Sequence, residues 1–230
     1  MHNPVYVELR NRAEISVGGA EGHKFLQGLV TNDLNLLKSQ SIIYACLLTA
    51  HGKFLFDFFI RKNAETYLID CEGGDRASAL LKKLKMYKLR ADVTLTLNDT
   101  LNVYQIFNGT HDKAYKDPRN DVCGFRSYTE PTDIQKVDFN TWDEHRIRNE
   151  IPDGSRDFIV EKSYIHEGRL DELNAVSYTK GCYVGQELVS RMHHRGLTKK
   201  ILKYVEITDD TDQSNLRSSC NGIGLVVTKI

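Results

Sequence analysis

What this chain lacks narrows it at once. Its 31 basic and 31 acidic side chains cancel to a formal net charge of zero, which argues against a surface built as a whole to hold nucleic acid. No apolar run approaches the roughly 20 residues that a membrane helix needs. The five cysteines never stand at C-x-x-C spacing, so neither a disulfide framework nor a structural zinc site is expected. H-x-x-x-H and H-E-x-x-H are missing. The adjacent His193 and His194 would point about 100° apart on a helix, a poor arrangement for one ion, and no metal site is expected. Without a Walker loop, a G-x-G-x-x-G or a G-x-S-x-G, the nucleoside-triphosphate, dinucleotide and serine-hydrolase readings have no motif behind them. The opening residues "MHNPVYVELRNRAEISVGG" carry neither a secretory leader pattern nor the Arg/Ser-rich amphipathic pattern of a transit peptide. A cytoplasmic location is therefore the expectation.

What is present reads as an ordinary globular protein, with 40% hydrophobic and 27% charged residues in 230, enough for one large domain or two to three small ones. Short alternating runs such as "VYVELRNRAEISV", "SIIYACLL", "KFLFDFFIRK" and "ETYLID" predict strands. Cys46 and Cys71 lie in or beside such runs and read as small buried residues. "AEGHKFLQGLVTNDLNLL" places Phe25, Leu26, Leu29 and Val30 at helical spacing, broken by Asn32-Asp33. "DRASALLKKLKMYKL" is the clearest helix, with Leu80, Leu84 and Tyr87 as its apolar stripe. A second helix is expected over "DFNTWDEHRIRNEIP", closed by Pro152, with Trp142, Ile147 and Ile151 inward. Strands mixed with single helices describe an α+β architecture rather than a regular βαβ array. The basic run from Lys82 to Arg90 reads as a solvated helix face. Neither a membrane nor direct nucleic-acid binding is expected among its partners.

Chemistry concentrates in "KGCYVGQELVSR", Lys180 to Arg191. Cys182 stands between glycines, with Lys180 near it and a helix expected to begin just beyond. Both features favour a thiolate; a loop cysteine of ordinary acidity is the alternative. Gly181 and Gly185 suit either a sharp turn or close approach of backbone to a ligand. Gln186 and Glu187 would either hydrogen-bond a polar heterocycle or simply occupy a first helical turn. Arg191 either pairs with Glu187 at i,i+4 spacing or anchors an anion. Asp57, inside "FLFDFFI", is costly to bury unpaired. It either lines a cleft, where it would suit the N–H groups of a pterin-like ring or acid–base work, or faces solvent on an edge strand.

The stretch "KGCYVGQELVSRMHHRG" closely resembles the K-G-C-[FY]-x-G-Q-E-x-x-x-R signature of the YgfZ-type folate-binding proteins, relatives of the glycine-cleavage T-protein (aminomethyltransferase). "FLQGLVTNDL", "LLTAHGKFLFDFFI", "LLKKLKMYKLRADV" and "RIRNEIPDG" extend the likeness along the chain. The resemblance implies an aminomethyltransferase-like α+β fold around a central cavity. Residues 1–197 would form the folate-binding region, two α+β subdomains with a break near 98, and residues 198–230 a short β segment, barrel-like or an incomplete barrel. It implies tetrahydrofolate or a derivative as ligand. It also implies a role in assembly or maintenance of iron–sulfur clusters, indirectly supporting tRNA-modifying enzymes, with iron–sulfur proteins or assembly factors as partners. Cys182 would be the residue on which function turns, with Asp57 beside it as a second catalytic residue. Asn32, Asp33, Tyr183, Gly185, Gln186, Glu187 and Arg191 would touch folate, supported by Lys180 and Gly181. The family's paired acids are reduced to Phe56-Asp57, and Arg148 replaces the acid of its R-x-E-x-G. Whether the chain is an enzyme stays open. A folate-dependent aminomethyl transferase and a non-catalytic partner-binding module are the alternatives.

Overall fold

A computed structural model describes residues 3–230. Along the chain come β1 (Val5–Leu9), β2 (Arg12–Gly18), α1 (Gly22–Gln27), a 3-10 turn at Leu34–Lys38, β3 (Ile43–Leu48), β4 (Phe54–Asn63), β5 (Thr66–Glu72), α2 (Asp75–Lys88) and β6 (Thr94–Asn98). The second half contributes β7 (Val103–Phe107), β8 (Tyr115–Lys116), β9 (Phe125–Ser127), β10 (Gln135–Lys136), α3 (Phe139–Arg148), α4 (Gly154–Asp157) and α5 (Gln186–Arg195). β11 (Lys200–Glu206), β12 (Leu216–Cys220) and β13 (Ile223–Lys229) complete it.

Three sheets result. The first runs β3-β4-β5-β2-β6 and is antiparallel throughout. In the second, β10-β1-β7-β9-β8, only the β1–β10 pair is parallel. β1 thus leaves the chain's early half to pair with β7, while its neighbour β2 stays in the first sheet. The tail folds as an open three-stranded antiparallel sheet, β11-β13-β12. These three strands do not close into a barrel among the described residues.

β3 is buried along its whole length because it has a core on each face. Ile43, Ala45 and Leu47 join α1 and α2 in one cluster, where Ala77, Leu80 and Leu84 of α2 pack inward at i, i+3, i+7. Tyr44, Cys46 and Leu48 face a second cluster with Phe54, Phe59, Phe107 and Trp142. An uninterrupted apolar run is what a doubly covered strand requires. β4 shares this position. Phe56 and Phe58 enter the first cluster, so Asp57 is turned to the other side, between the two large sheets.

Candidate functional site

The signature turn is built from contacts with chain more than a hundred residues earlier. Lys180 reaches back so that its Nζ donates to the carbonyls of Gln27 at 2.7 Å, Val30 at 2.8 Å and Asn32 at 2.9 Å. These carbonyls lie at the last residue of α1 and just beyond it, where the helix's own amides no longer supply donors. Burial lowers the Lys180 pKa to about 8, while nearby Asp33 works in the opposite direction. Tyr183 is buried in the second core and Val184 packs against the first, with the Val184 amide donating to Gly28 O at 3.2 Å. The turn therefore straddles both cores.

Gly185 ends it at φ +86°, where a β-carbon would stand 2.6 Å from Thr49 O and 3.1 Å from the Cα of Gly52. Close approach of two backbones, signature against the β3–β4 hairpin, is what this glycine provides. Gly181 by contrast has open space around it. Between these fixed points Cys182 is exposed, whereas Cys46, Cys71 and Cys123 are buried and Cys220 is partly so. α5 begins at Gln186, four residues after the cysteine, so the thiol does not sit on its first turn. Lys180 likewise spends its ammonium on carbonyls rather than on the thiol.

The other expected site residues divide. Asn32 is buried, its Nδ2 donating to Tyr44 O at 2.8 Å and Asn174 O at 2.7 Å. Asp33 caps the 3-10 turn, accepting from Asn35 N and from Gln27 Nε2. Burial raises its pKa, but these hydrogen bonds outweigh that and leave it lowered. Glu187 and Arg191 form a 2.6 Å pair with each other on the exposed side of α5. Gln186 lies half-buried at the start of that helix. Asn32, Asp33, Lys180, Tyr183 and Gly185 thus gather at the turn, mainly as structural ties.

Asp57 belongs to a different place. It lines a cavity of about 240 Å³ between the two large sheets, together with Arg12, Arg119, Arg126, Arg146 and Arg156; Cys182 is not part of that lining. Asp57 Oδ2 accepts a 2.8 Å hydrogen bond from the Tyr44 hydroxyl. Burial raises the Asp57 pKa above the usual carboxylate value, with the Tyr44 bond acting against it. Gly154 covers the other oxygen so closely that a β-carbon there would stand 2.6 Å from Oδ1.

The guanidiniums around Asp57 were not singled out from sequence. Asp70 binds two of them, Arg12 at 2.6 Å and Arg126 at 2.6 Å, and accepts from the Tyr128 hydroxyl at 3.0 Å. Arg146 pairs with Asp143 at 2.6 Å and Asp157 at 2.8 Å. Buried charges persist only when matched in this way. Arg126 and Arg146 are nonetheless each left with one buried Nη2 lacking an acceptor among the described residues. A signal was there to read, since Asp70 sits in "YLID" much as Asp57 sits in "FLFD". Arg148, expected to stand where the family has an acid, instead lies at the surface with Glu144 at 2.8 Å. Arg146, two residues earlier, is the arginine that reaches the cavity.

Tetrahydrofolate can be tested against this lining. Its pterin edge offers N–H donors and a carbonyl acceptor, complementary to a carboxylate such as Asp57 and to the spare Nη2 groups of Arg126 and Arg146. The volume of about 240 Å³ lies below the roughly 300–1,000 Å³ of pockets that enclose a drug-sized ligand. The residues fit a bicyclic head group and leave the remainder of a folate outside.

The same arrangement of sheets occurs in the glycine cleavage system aminomethyltransferase T of Bartonella henselae, with a TM-score of 0.74 over 99% of this chain and 78% of that one, at 12% identity. The chain has the aminomethyltransferase T fold. No protein-family model matches it. In sequence it is 32% identical over 218 residues to the mitochondrial iron–sulfur cluster assembly factor IBA57 homolog of Mycosarcoma maydis, a match covering 83% of this chain. It is 30% identical to the mitochondrial iron–sulfur cluster assembly factor IBA57 of Mus musculus, over 86% of this chain and 65% of that protein. The human protein of the same name is 28% identical over 90% of this chain and 68% of its own length. The chain spans about half the length of the fungal relative, 54%. The signature pointed to YgfZ-type proteins, and these relatives carry the IBA57 name instead. All three are named as mitochondrial, which overturns the cytoplasmic expectation. That expectation rested on a missing leader pattern, and an absence carries no address.

Proposed function

We propose that this chain acts as an accessory factor in iron–sulfur cluster assembly, with Cys182 as its working residue and a tetrahydrofolate-type pterin as the ligand of its cavity. The observation that carries the reading is the placement of Cys182, an exposed thiol on a turn fixed on one side by Lys180 and on the other by Gly185. A thiolate is the form that ligates metal or attacks a partner sulfur, and exposure is its first requirement. The names of the relatives support the pathway, and the iron–sulfur proteins or assembly factors met there would be the partners. Enzymes that modify tRNA would then depend on this chain indirectly, through their clusters.

In the cavity, Asp57 would accept from the pterin N–H groups while the free Nη2 groups of Arg126 and Arg146 face its carbonyl. A bound reduced folate would supply a one-carbon carrier. Burial raises the Asp57 pKa while the hydrogen bond that Oδ2 accepts from Tyr44 acts against it. The tie between turn and cavity is the β3–β4 hairpin, which meets Gly185 at its tip and carries Asp57 in its second strand.

The test separates the two claims. In cells depleted of the endogenous factor, Cys182→Ala is expected to abolish recovery of iron–sulfur enzyme activity while leaving the melting temperature of the purified protein unchanged; full recovery would overturn the role of the thiol. Calorimetric titration with tetrahydrofolate and 5-formyl-tetrahydrofolate is expected to show binding near micromolar, roughly 8 kcal/mol. No heat with either ligand would remove folate from the proposal and leave a partner-binding factor.

A further inference from the structure

The outward side of α2 is charged and apolar at once, and none of it serves the turn or the cavity. Ala77, Leu80 and Leu84 face the core. Ser78, Lys82, Lys85 and Met86 face away, with Leu81, around a shallow groove of about 460 Å³. Met86 is 62% and Leu89 86% exposed. Lys82, Lys83, Lys85, Lys88 and Arg90 neighbour these two residues along the chain, and no carboxylate lies within 4.0 Å of any of the five among the described residues. Elsewhere exposed lysines do find acids, as Lys116 does with Asp121 at 2.8 Å.

Leu89 adds a second, independent observation. It ends the helix at φ +47°, ψ −108°, a positive-φ conformation that costs a bulky residue energy and that glycine adopts freely. The strained position holds an apolar side chain in water between two cations. Folding gains nothing from that; association with a surface does.

We propose that this face of α2 docks on an anionic phospholipid surface. The lysines and Arg90 would meet headgroup phosphates while Met86 and Leu89 enter the boundary with the acyl chains, as an interfacial helix does. Apolar side chains standing among the charges favour lipid over nucleic acid, whose backbone offers them nothing. Tyr87, the aromatic ring of the run, packs into the first core and not outward, so it is not placed to stack on bases. No helix among the described residues is long and apolar enough to cross a membrane, so the contact is peripheral.

Flotation of the full chain with phosphatidylcholine vesicles, with and without phosphatidylserine, tests this. The chain is expected to float with the anionic vesicles at low salt, and to be released at high salt. Charge reversal in Lys82→Glu, Lys85→Glu and Lys88→Glu together should weaken partitioning about 100-fold or more. Met86→Ser with Leu89→Ser should weaken it at least about tenfold. Lys82, Lys85, Met86 and Leu89 are exposed and Lys88 is half-buried, so melting temperature serves as the control for folding. Failure of the wild type to float with anionic vesicles would overturn the proposal, as would flotation unchanged by charge reversal. Tighter binding to a short duplex oligonucleotide than to vesicles, undiminished in the Met86→Ser, Leu89→Ser variant, would assign the face to nucleic acid instead.

Discussion

The ammonium of Lys180 lies 2.8 Å from the carbonyl oxygen of Val30, and Val30 in turn bridges to Leu47 of β3. The lysine that precedes the exposed cysteine therefore ties the signature turn to the edge of the first sheet. Its role is closer to that of a bound cation filling a cradle of carbonyls than to that of a general acid.

Replacing that cation tests the tie. Lys180→Met keeps the length and removes the donors, leaving three carbonyls without a partner beside a buried stem. Orphaned buried polar groups cost about 1–3 kcal/mol each, and partial access to water should hold the total near 3 kcal/mol. For a chain of this size that lowers the melting temperature by roughly 10 °C. An unchanged melting curve would show that the turn is held by Tyr183 and Val184 alone.

Gly185→Ala should damage the same turn from its other end. The left-handed conformation costs a side chain about 1–2 kcal/mol, and the new methyl would meet backbone atoms of Thr49 and Gly52 that cannot rotate away. The expected result is a loss of at least about 2 kcal/mol in urea unfolding, accompanied by faster proteolysis between β3 and β4. Gly181→Ala, with open space around it, is the control and should be neutral.

Asp57→Asn is expected to act in the opposite direction on stability. Burial raises the pKa of this carboxyl, which means that its charged form is disfavoured in the fold at neutral pH. An amide removes that penalty, so the melting temperature should rise by a few degrees, about 1 kcal/mol. Folate affinity, read by calorimetry, should fall at the same time. A variant that loses stability and keeps its ligand would place Asp57 among the structural residues.

Acid should reach Asp70 only at low pH. Burial alone would raise its carboxyl, but Arg12 and Arg126 on either side prevail and hold its pKa down to about 2. A depressed carboxylate contributes stability that is present above the unfolded value and is lost as pH falls through the folded one. Between about pH 4 and pH 2 the protein should therefore lose about 2 kcal/mol through this group. Urea midpoints measured across that interval should show the loss in the wild type. In Asp70→Asn the slope should be shallower, from a lower starting stability, because two buried guanidiniums have lost their acid.

Local patterns were the legible part of the fold. The stripe of Leu80, Leu84 and the inward Trp142, Ile147 and Ile151 are visible because each helix has one wet face. β3 defeats periodicity, since a strand covered on both sides shows no alternation. The helix expected from Phe25 to Val30 stops at Gln27, because Val30 is drawn into a bridge with Leu47. The signature could be read as a site, yet Lys180, Asn32 and Asp33 prove to be its scaffold, a distinction that depends on where their polar atoms end. The cavity was half legible. Asp57 stood out as an acid among phenylalanines, whereas Arg12, Arg126 and Arg146 come from three separate elements and meet only when the sheets face each other.

The 150-residue separation between Lys180 and Val30 has a kinetic side as well. Contacts so distant in sequence form late and slow the search for the native state, because the intervening chain must already be compact before they add anything. Strands β2 to β6 all lie between Arg12 and Asn98, so their pairings span shorter separations. During synthesis they emerge first, with the carbonyls of Gln27, Val30 and Asn32 waiting for a cation still to be translated. The turn that carries Cys182 is thus expected to take its shape after the first sheet. A thiol held in its final geometry is in effect a report that the first hundred residues have already assembled.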